Sequence, residues 1–370
     1  MTGRTALWPG ESHDGDELRD TVDFRTPGGP STATGPDDED LRRQLEAAVD
    51  AVDAPDAVVA VSRHGRRVIH CGGTAPPPPT PRQDLRYELG SASKTFTGLL
   101  LAQLIRRGLL TGGEAATACL DAVRRSEAAP VTLAHLLTHT SGLPSLPADF
   151  YVRALPAWRT SPYARYPAAR VIDAFLHHRP RRRPGTRWRY SNFGVAVLGH
   201  ALAAATGTVW EDLLTDHVLR PLALSDTALL ARGPDTDAVG HGKDGRTPVP
   251  AFDAGGFQAA GAVRATPHDL LTFLEAHLDP SGSPLAGALR SVRTPVLRRG
   301  PGHQHVHTMA WFRHPTATGP MYFHGGATLG QQAFLGFRPD TGTALAALCT
   351  RRFRAHDPFV TTAYELLAQE

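Results

Sequence analysis

Strand-like segments lie at the two ends of this 370-residue chain, and helix-like segments lie between them. Ala57 to Ile69 reads as two strands joined near His64-Gly65, a hairpin signal. Far downstream, Met309–Arg313, Met321–His324, Gln332–Phe337 and Thr343–Leu348 read as strands, with Pro339-Asp340-Thr341-Gly342 turning between the last two. Residues 110–240 are mostly helical in pattern, broken by Pro and Gly, and Val195 to Ala205 is the clearest apolar helix. The simplest chain path is one α/β domain with a mainly antiparallel sheet flanked by helices. It takes in residues 39–110 and 250–370, with an inserted, mostly helical region over 111–249. Such a path brings distant segments together at the junction, where sites tend to form.

Flanking helices are expected over 40–53, after Thr266, whose Pro267 suits a first helical position, and over 356–368. Ala75 to Pro81 holds five prolines and must be a loop. Residues 1–38 look like a flexible acidic leader. The first forty residues hold three arginines against ten acidic residues, a composition typical of solvated chain. The whole chain carries a net charge of only +3, which does not suit a nucleic-acid binder. Three cysteines far apart, without C-x-x-C, argue against a disulfide framework. No apolar run reaches the ~18 residues of a membrane span and no secretory signal is visible. The expected location is the cytoplasm, with no membrane partner.

The chemistry concentrates in Ser91-Ala92-Ser93-Lys94. An apolar run at helical spacing follows (Phe96, Leu99, Leu100, Leu101, Leu104), so the pair is expected on the first turn of a helix ending near Gly108. Residues three apart share a helix face, and a helix N-terminus favours an anion formed beside it. A serine there has a base within reach and a field suited to acyl transfer. Two further segments fit. Tyr190 and Asn192 place a phenol and an amide two residues apart. Phe323-His324-Gly325-Gly326-Ala327 ends a strand with two glycines, which admit a substrate backbone.

S-x-x-K, then Y-x-N, then H-x-G, in that order, resembles the serine β-lactamase and penicillin-binding-protein superfamily. The likeness is to the branch of class C β-lactamases, D-aminopeptidases and family VIII esterases. Leu136-Leu137-Thr138-His139-Thr140-Ser141-Gly142-Leu143-Pro144 and Pro184-Gly185-Thr186 resemble segments of that branch, and the likeness runs over residues 40–368. It implies Ser91 as the nucleophile, Lys94 and Tyr190 sharing the base work, and Tyr190 protonating the leaving group. It also implies that Asn192 bonds Lys94 or the substrate, and that the amides of Ser91 and Ala327 form an oxyanion hole. Whether Lys94 is neutral, or lowers the Tyr190 pKa as a cation, stays open at this level. His324 stands where the family's K-T-G motif has lysine, so a permanent cation for a substrate carboxylate is missing.

The expected activity is that of a cytoplasmic esterase or amidase on a small-molecule acyl substrate, without cofactor or metal. A transacylase or thioesterase served by an acidic carrier protein is the second reading, motivated by Arg179, Arg181, Arg182, Arg183, Arg187 and Arg189. A catalytically silent binding protein of the same fold is the third. His139 is expected to be a structural hydrogen-bonder. His303, His305 and His307 share one strand face, but no carboxylate or cysteine lies close in sequence to complete a metal site. Phe150, Tyr151, Trp158, Tyr163 and Tyr166 are candidates for either an acyl pocket or the core of the helical region.

Overall fold

The computed structural model describes residues 36–121, 130–178, 183–299, 305–355 and 357–369. The acidic leader up to residue 35, His303, and Arg179, Arg181 and Arg182 lie outside them.

The hairpin forms as expected. β1 (Ala57–Arg63) and β2 (Arg66–Gly72) turn through His64 and Gly65, both at positive φ (50° and 81°). The remaining main-sheet strands are β5 (Leu297–Arg299), β6 (His305–His307), β7 (Phe312–Pro315), β8 (Pro320–Ala327), β9 (Gln332–Arg338) and β10 (Thr343–Cys349). They form one eight-stranded sheet of order β2-β1-β10-β9-β8-β7-β6-β5, antiparallel throughout. The hinge of this order is β1 beside β10, with Val59 opposite Ala347. A separate two-stranded ladder joins β3 (Tyr87–Glu88) to β4 (Arg264–Ala265).

β1, β9 and β10 are buried on both faces, and their alternation divides the core. Val59, Val61, Phe334, Leu345 and Ala347 pack with Leu45 and Val49 of helix Pro36–Asp50 and Leu367 of helix Phe359–Gln369. Val58, Ala60, Leu335, Phe337, Ala344 and Ala346 face the opposite way. They join a larger core with Phe96 of helix Ser93–Arg106, Phe273 of helix Pro267–Leu278 and the apolar helix Asn192–Thr206. The Phe96 and Phe273 rings stack at 4.0 Å, tying two of these helices together.

Three expectations shift. The strand expected from Met309 begins only at Phe312. Thr308 and Trp311 instead make a tight turn, in which the Thr308 amide donates to the Trp311 carbonyl (2.9 Å) and the Trp311 amide donates to Thr308 Oγ1 (3.0 Å). Within the inserted region, residues 220–249 carry no helix. Ser91 sits in a 3₁₀ turn, Gly90–Ala92, one step before the α-helix that begins at Ser93. Gly90 at φ 49° makes that turn, pressed against β8. Among the described residues, no single helix is long and apolar enough to cross a membrane.

Candidate active site

The turn carrying Ser91 is stitched to the segment 258–263 by three side chains of one helix. The Val263 amide donates to Ser93 Oγ at 3.0 Å. Thr97 Oγ1 donates to the Ala259 carbonyl at 2.7 Å. Lys94 Nζ donates to the Ala260 carbonyl at 2.8 Å and to Ser91 Oγ at 3.1 Å. Lys94 is only 2% exposed. Burial disfavours its ammonium form and brings its pKa down to about 7.

Tyr190 arrives from the helical region. Ser191 caps helix Asn192–Thr206, its Oγ accepting from the Gly194 amide (2.8 Å) and donating to the Pro144 carbonyl (2.6 Å). The Arg189 amide donates to the His139 carbonyl (2.8 Å), and the Ser191 amide donates to His139 Nδ1 (3.2 Å). The Leu136–Pro144 segment therefore acts as a cradle, with His139 at φ 58° and its neutral ring as an acceptor. This cradle sets the Tyr190 phenol beside Ser91 and puts Lys94 Nζ 5.1 Å from the Tyr190 ring centre. Burial pushes the phenol up to about 12, against the lowering effect of Ser91. At neutral pH it is therefore the amine, not the phenol, that can stand ready to accept a proton.

The glycines of β8 act at close range. A Cβ on Gly326 would fall 1.9 Å from the Leu89 carbonyl oxygen and 2.9 Å from the Ser91 nitrogen. One on Gly90 would fall 2.5 Å from the Ala327 carbonyl oxygen. Only two glycines let these backbones meet. Their contact puts Ser91 and Ala327 on the wall of one cavity of about 180 Å³. Gly325, by contrast, has room for a side chain.

His324 points away from that cavity and lines a small one behind Lys94, together with His139 and His307. Its Nδ1 lies 2.7 Å from the Gly325 carbonyl, so this nitrogen carries the proton. Burial first, then the nearby Lys94, hold its pKa down to about 3. Asn192 lines the same cavity as Ser91 and Tyr163, and among the described residues its buried Oδ1 has no hydrogen-bond partner. Lys94 Nζ bonds Ser91 and the Ala260 carbonyl, and Asn192 stands on the cavity wall.

The aromatic set divides. Tyr163 lines the cavity, Phe150 and Tyr166 are core, and Tyr151 and Trp158 are exposed. Phe252 and Phe257 complete the wall. Single aromatics in a loop and a short turn, they carry no periodic signal, and sequence reading misses them. It also misses the Ala260 carbonyl, since any residue type could supply it. His305 faces His314 (3.2 Å), whereas His307 packs on Trp188. Among the described residues no cluster of His, Cys, Asp or Glu is arranged to hold a metal ion.

Comparisons with known proteins extend this geometry. The family described as Beta-lactamase matches residues 41–370. Penicillin-binding protein 4 of Amycolatopsis lactamdurans is 29% identical over 317 residues, covering 77% of each chain. A beta-lactamase of Pseudomonas fluorescens is 28% identical over 214 residues; the match spans 56% of this chain and only 55% of that protein. Among solved structures, a class C beta-lactamase from Rhodobacter sphaeroides superposes with a TM-score of 0.72 at 22% identity, over 89% of this chain and 98% of its own. A beta-lactamase/D-alanine carboxypeptidase from Pseudomonas syringae gives 0.74 at 19% identity, over 89% and 98%. These two likenesses establish the fold.

Proposed function

The chain belongs to the beta-lactamase family, and from that premise we propose that it is a serine acyl hydrolase using Ser91 as nucleophile on an uncharged ester or amide. One observation carries the reading: Ser91 Oγ lies 3.1 Å from an amine that burial brings to the edge of neutrality. Ser91 Oγ attacks the acyl carbonyl while its proton passes to Lys94 Nζ. The oxyanion that forms lies between the amides of Ser91 and Ala327. As the carbon–oxygen or carbon–nitrogen bond to the leaving group breaks, Tyr190 supplies the proton and is reprotonated from Lys94. Water then attacks the acyl-serine, gives its proton to the same pair, and releases the acid and free Ser91.

The finer substrate assignment follows from charge and wall chemistry. The residue in the position of the family's motif lysine is His324, neutral and turned away from the cavity. The cavity wall has no charged side chain among its described residues and is largely apolar: Tyr163, Phe252, Phe257, Ala260, Ala327 and Leu329. A substrate carboxylate there would lose hydration without gaining a cation. A compact apolar acyl group suits the site better. Half of the basic run that motivated a carrier-protein partner, Arg179, Arg181 and Arg182, lies outside the described residues.

Mass spectrometry after treatment with a fluorophosphonate tests the central reading. A serine–phosphorus bond forms, fluoride leaves, and the serine proton goes to Lys94. One adduct on Ser91, absent in Ser91→Ala, is expected, with loss of p-nitrophenyl ester turnover in the same variant. An unlabelled wild-type protein overturns the hydrolase reading and favours the silent binder.

A further inference from the structure

Glu88 and Arg264 face each other across the β3–β4 ladder. Both are buried, 3% and 2% exposed, and their side chains pair at 3.1 Å. Neither takes part in the proton transfers above. A buried ion pair is in general weak evidence of stabilisation, so its retention asks for another explanation.

The contacts of this pair reach two walls of the cavity. Glu88 Oε1 accepts from the Phe252 amide at 2.7 Å, and Arg264 Nη2 donates to the Phe252 carbonyl, also at 2.7 Å. The backbone of one acyl-wall residue is thus held at both ends. Glu88 Oε2 accepts from the Thr328 hydroxyl at 2.5 Å. Thr328 directly follows Ala327, and its Oγ1 accepts from the amides of Gly330 (3.3 Å) and Gln331 (3.1 Å). The Glu88 amide donates to Gln331 Oε1 at 2.9 Å, so the same turn is gripped twice. Three residues further along the chain is Ser91.

We propose that Glu88 is a positioning residue: its carboxylate, neutralised by Arg264 and linked through the Thr328 hydroxyl, sets the register between the nucleophile turn and the oxyanion-binding end of β8, and holds Phe252 against the acyl group. Three segments that are far apart in sequence need a common reference point, and one carboxylate with four acceptor directions supplies it. Its absence lets Ala327 drift relative to Ser91, which costs transition-state stabilisation rather than ground-state binding.

This inference rests on the acyl-enzyme reading, and the experiment separates the two. Thr328→Val removes the hydroxyl with nearly the same shape, and Thr328→Ser keeps it. The readouts are the rate of Ser91 labelling by a fluorophosphonate, kcat and KM on a p-nitrophenyl ester, and Tm. Thr328→Val is expected to slow labelling and kcat by about 100-fold with KM and Tm little changed, and Thr328→Ser to recover most of that loss. Glu88→Gln is expected to match the kcat loss and to raise KM for bulky acyl groups, since Phe252 is released as well. Should Glu88→Gln not fold, the Thr328 pair decides the matter alone. Labelling of Thr328→Val at the wild-type rate, or equal loss in the Ser and Val variants, overturns the positioning role and leaves the hydrolase reading standing. A wild-type protein that does not label overturns both.

Discussion

The two faces of the main sheet are cut from the same strands, yet they are filled differently. Against helices Pro36–Asp50 and Phe359–Gln369 the cluster includes Leu45, Val49, Val59, Val61, Phe334, Leu345 and Leu367, and the buried charges beside it are in ion pairs: Arg338 with Asp340, and Arg351 with Asp53 and Asp357. The other face packs helices Ser93–Arg106 and Pro267–Leu278, and there the apolar core stands beside buried Lys94, Glu88, Arg264, His139, His277 and His324. Burying such groups opposes folding unless each is paired. Stability and chemistry are thereby separated in this molecule: beside the first cluster the buried charges are ion-paired, whereas the second face buries the reactive amine of Lys94 against the neutral Ser91 Oγ and Ala260 carbonyl.

The sharpest way to break the comparison is to make the second face resemble the first. Lys94→Met removes the base, and turnover is expected to fall by about 10²–10⁴-fold, the range of a lost general base. The same variant is expected to be more stable. The folded pKa of about 7 lies below the ordinary value of 10.5. Between those values the unfolded chain holds a proton that the folded chain lacks, so wild-type stability rises with pH across that window. The penalty is full below pH 7. Thermal unfolding should therefore show Lys94→Met gaining most at pH 6 and little above pH 10, with a ceiling of roughly 5 kcal/mol from about 1.4 kcal/mol per pH unit of displacement. The loss of two hydrogen bonds brings it lower. A variant less stable than wild type at pH 6 would contradict the account of the second face.

A smaller change tests backbone proximity. Gly326→Ala places a methyl against the Leu89 carbonyl and the Ser91 amide. The turn and β8 must separate, and kcat is expected to drop by about 10²–10³-fold, as for a lost oxyanion donor, while Gly325→Ala should do far less. Steady-state kinetics on one ester compares the two. Equal losses would mean that close approach of the two backbones is not what the glycines provide.

The smallest effect on rate is expected on the apolar face. Leu45 is fully buried between helix and sheet. Leu45→Ala should cost about 2–5 kcal/mol in denaturant unfolding and leave kcat of the folded protein within experimental scatter. A kcat loss that follows the stability loss would erase the division between the faces.

Much of this was legible in the sequence because it rests on local pattern. The β1–β2 hairpin, the helix after Thr266 and the order of Ser91, Lys94, Tyr190 and Asn192 are all properties of short stretches. The rest depends on register between remote segments. The Ala260 carbonyl lies 166 residues from the amine it binds, and the Phe252 amide lies 164 residues from Glu88. No pattern of residue types announces such a pairing. β5 was missed for a different reason: a three-residue edge strand, Leu297-Arg298-Arg299, offers too few apolar positions to show an alternation. The 3₁₀ geometry at Ser91 also escaped, since the apolar run marks the helix but not how its entry is bent by the neighbouring β8. The loss of charge at His324 was readable from residue type, whereas its turn away from the substrate cavity was not.

The central claim is that Lys94 acts as a neutral amine at Ser91, and the pH dependence of fluorophosphonate labelling measures it most directly. The account predicts a labelling rate that rises with pH through a single step near pH 7, as the ammonium form of Lys94 gives up its proton. It also predicts that Lys94→Met removes that step. A rate that is flat across this range, or that climbs only near pH 10 as an ordinary lysine would, contradicts it.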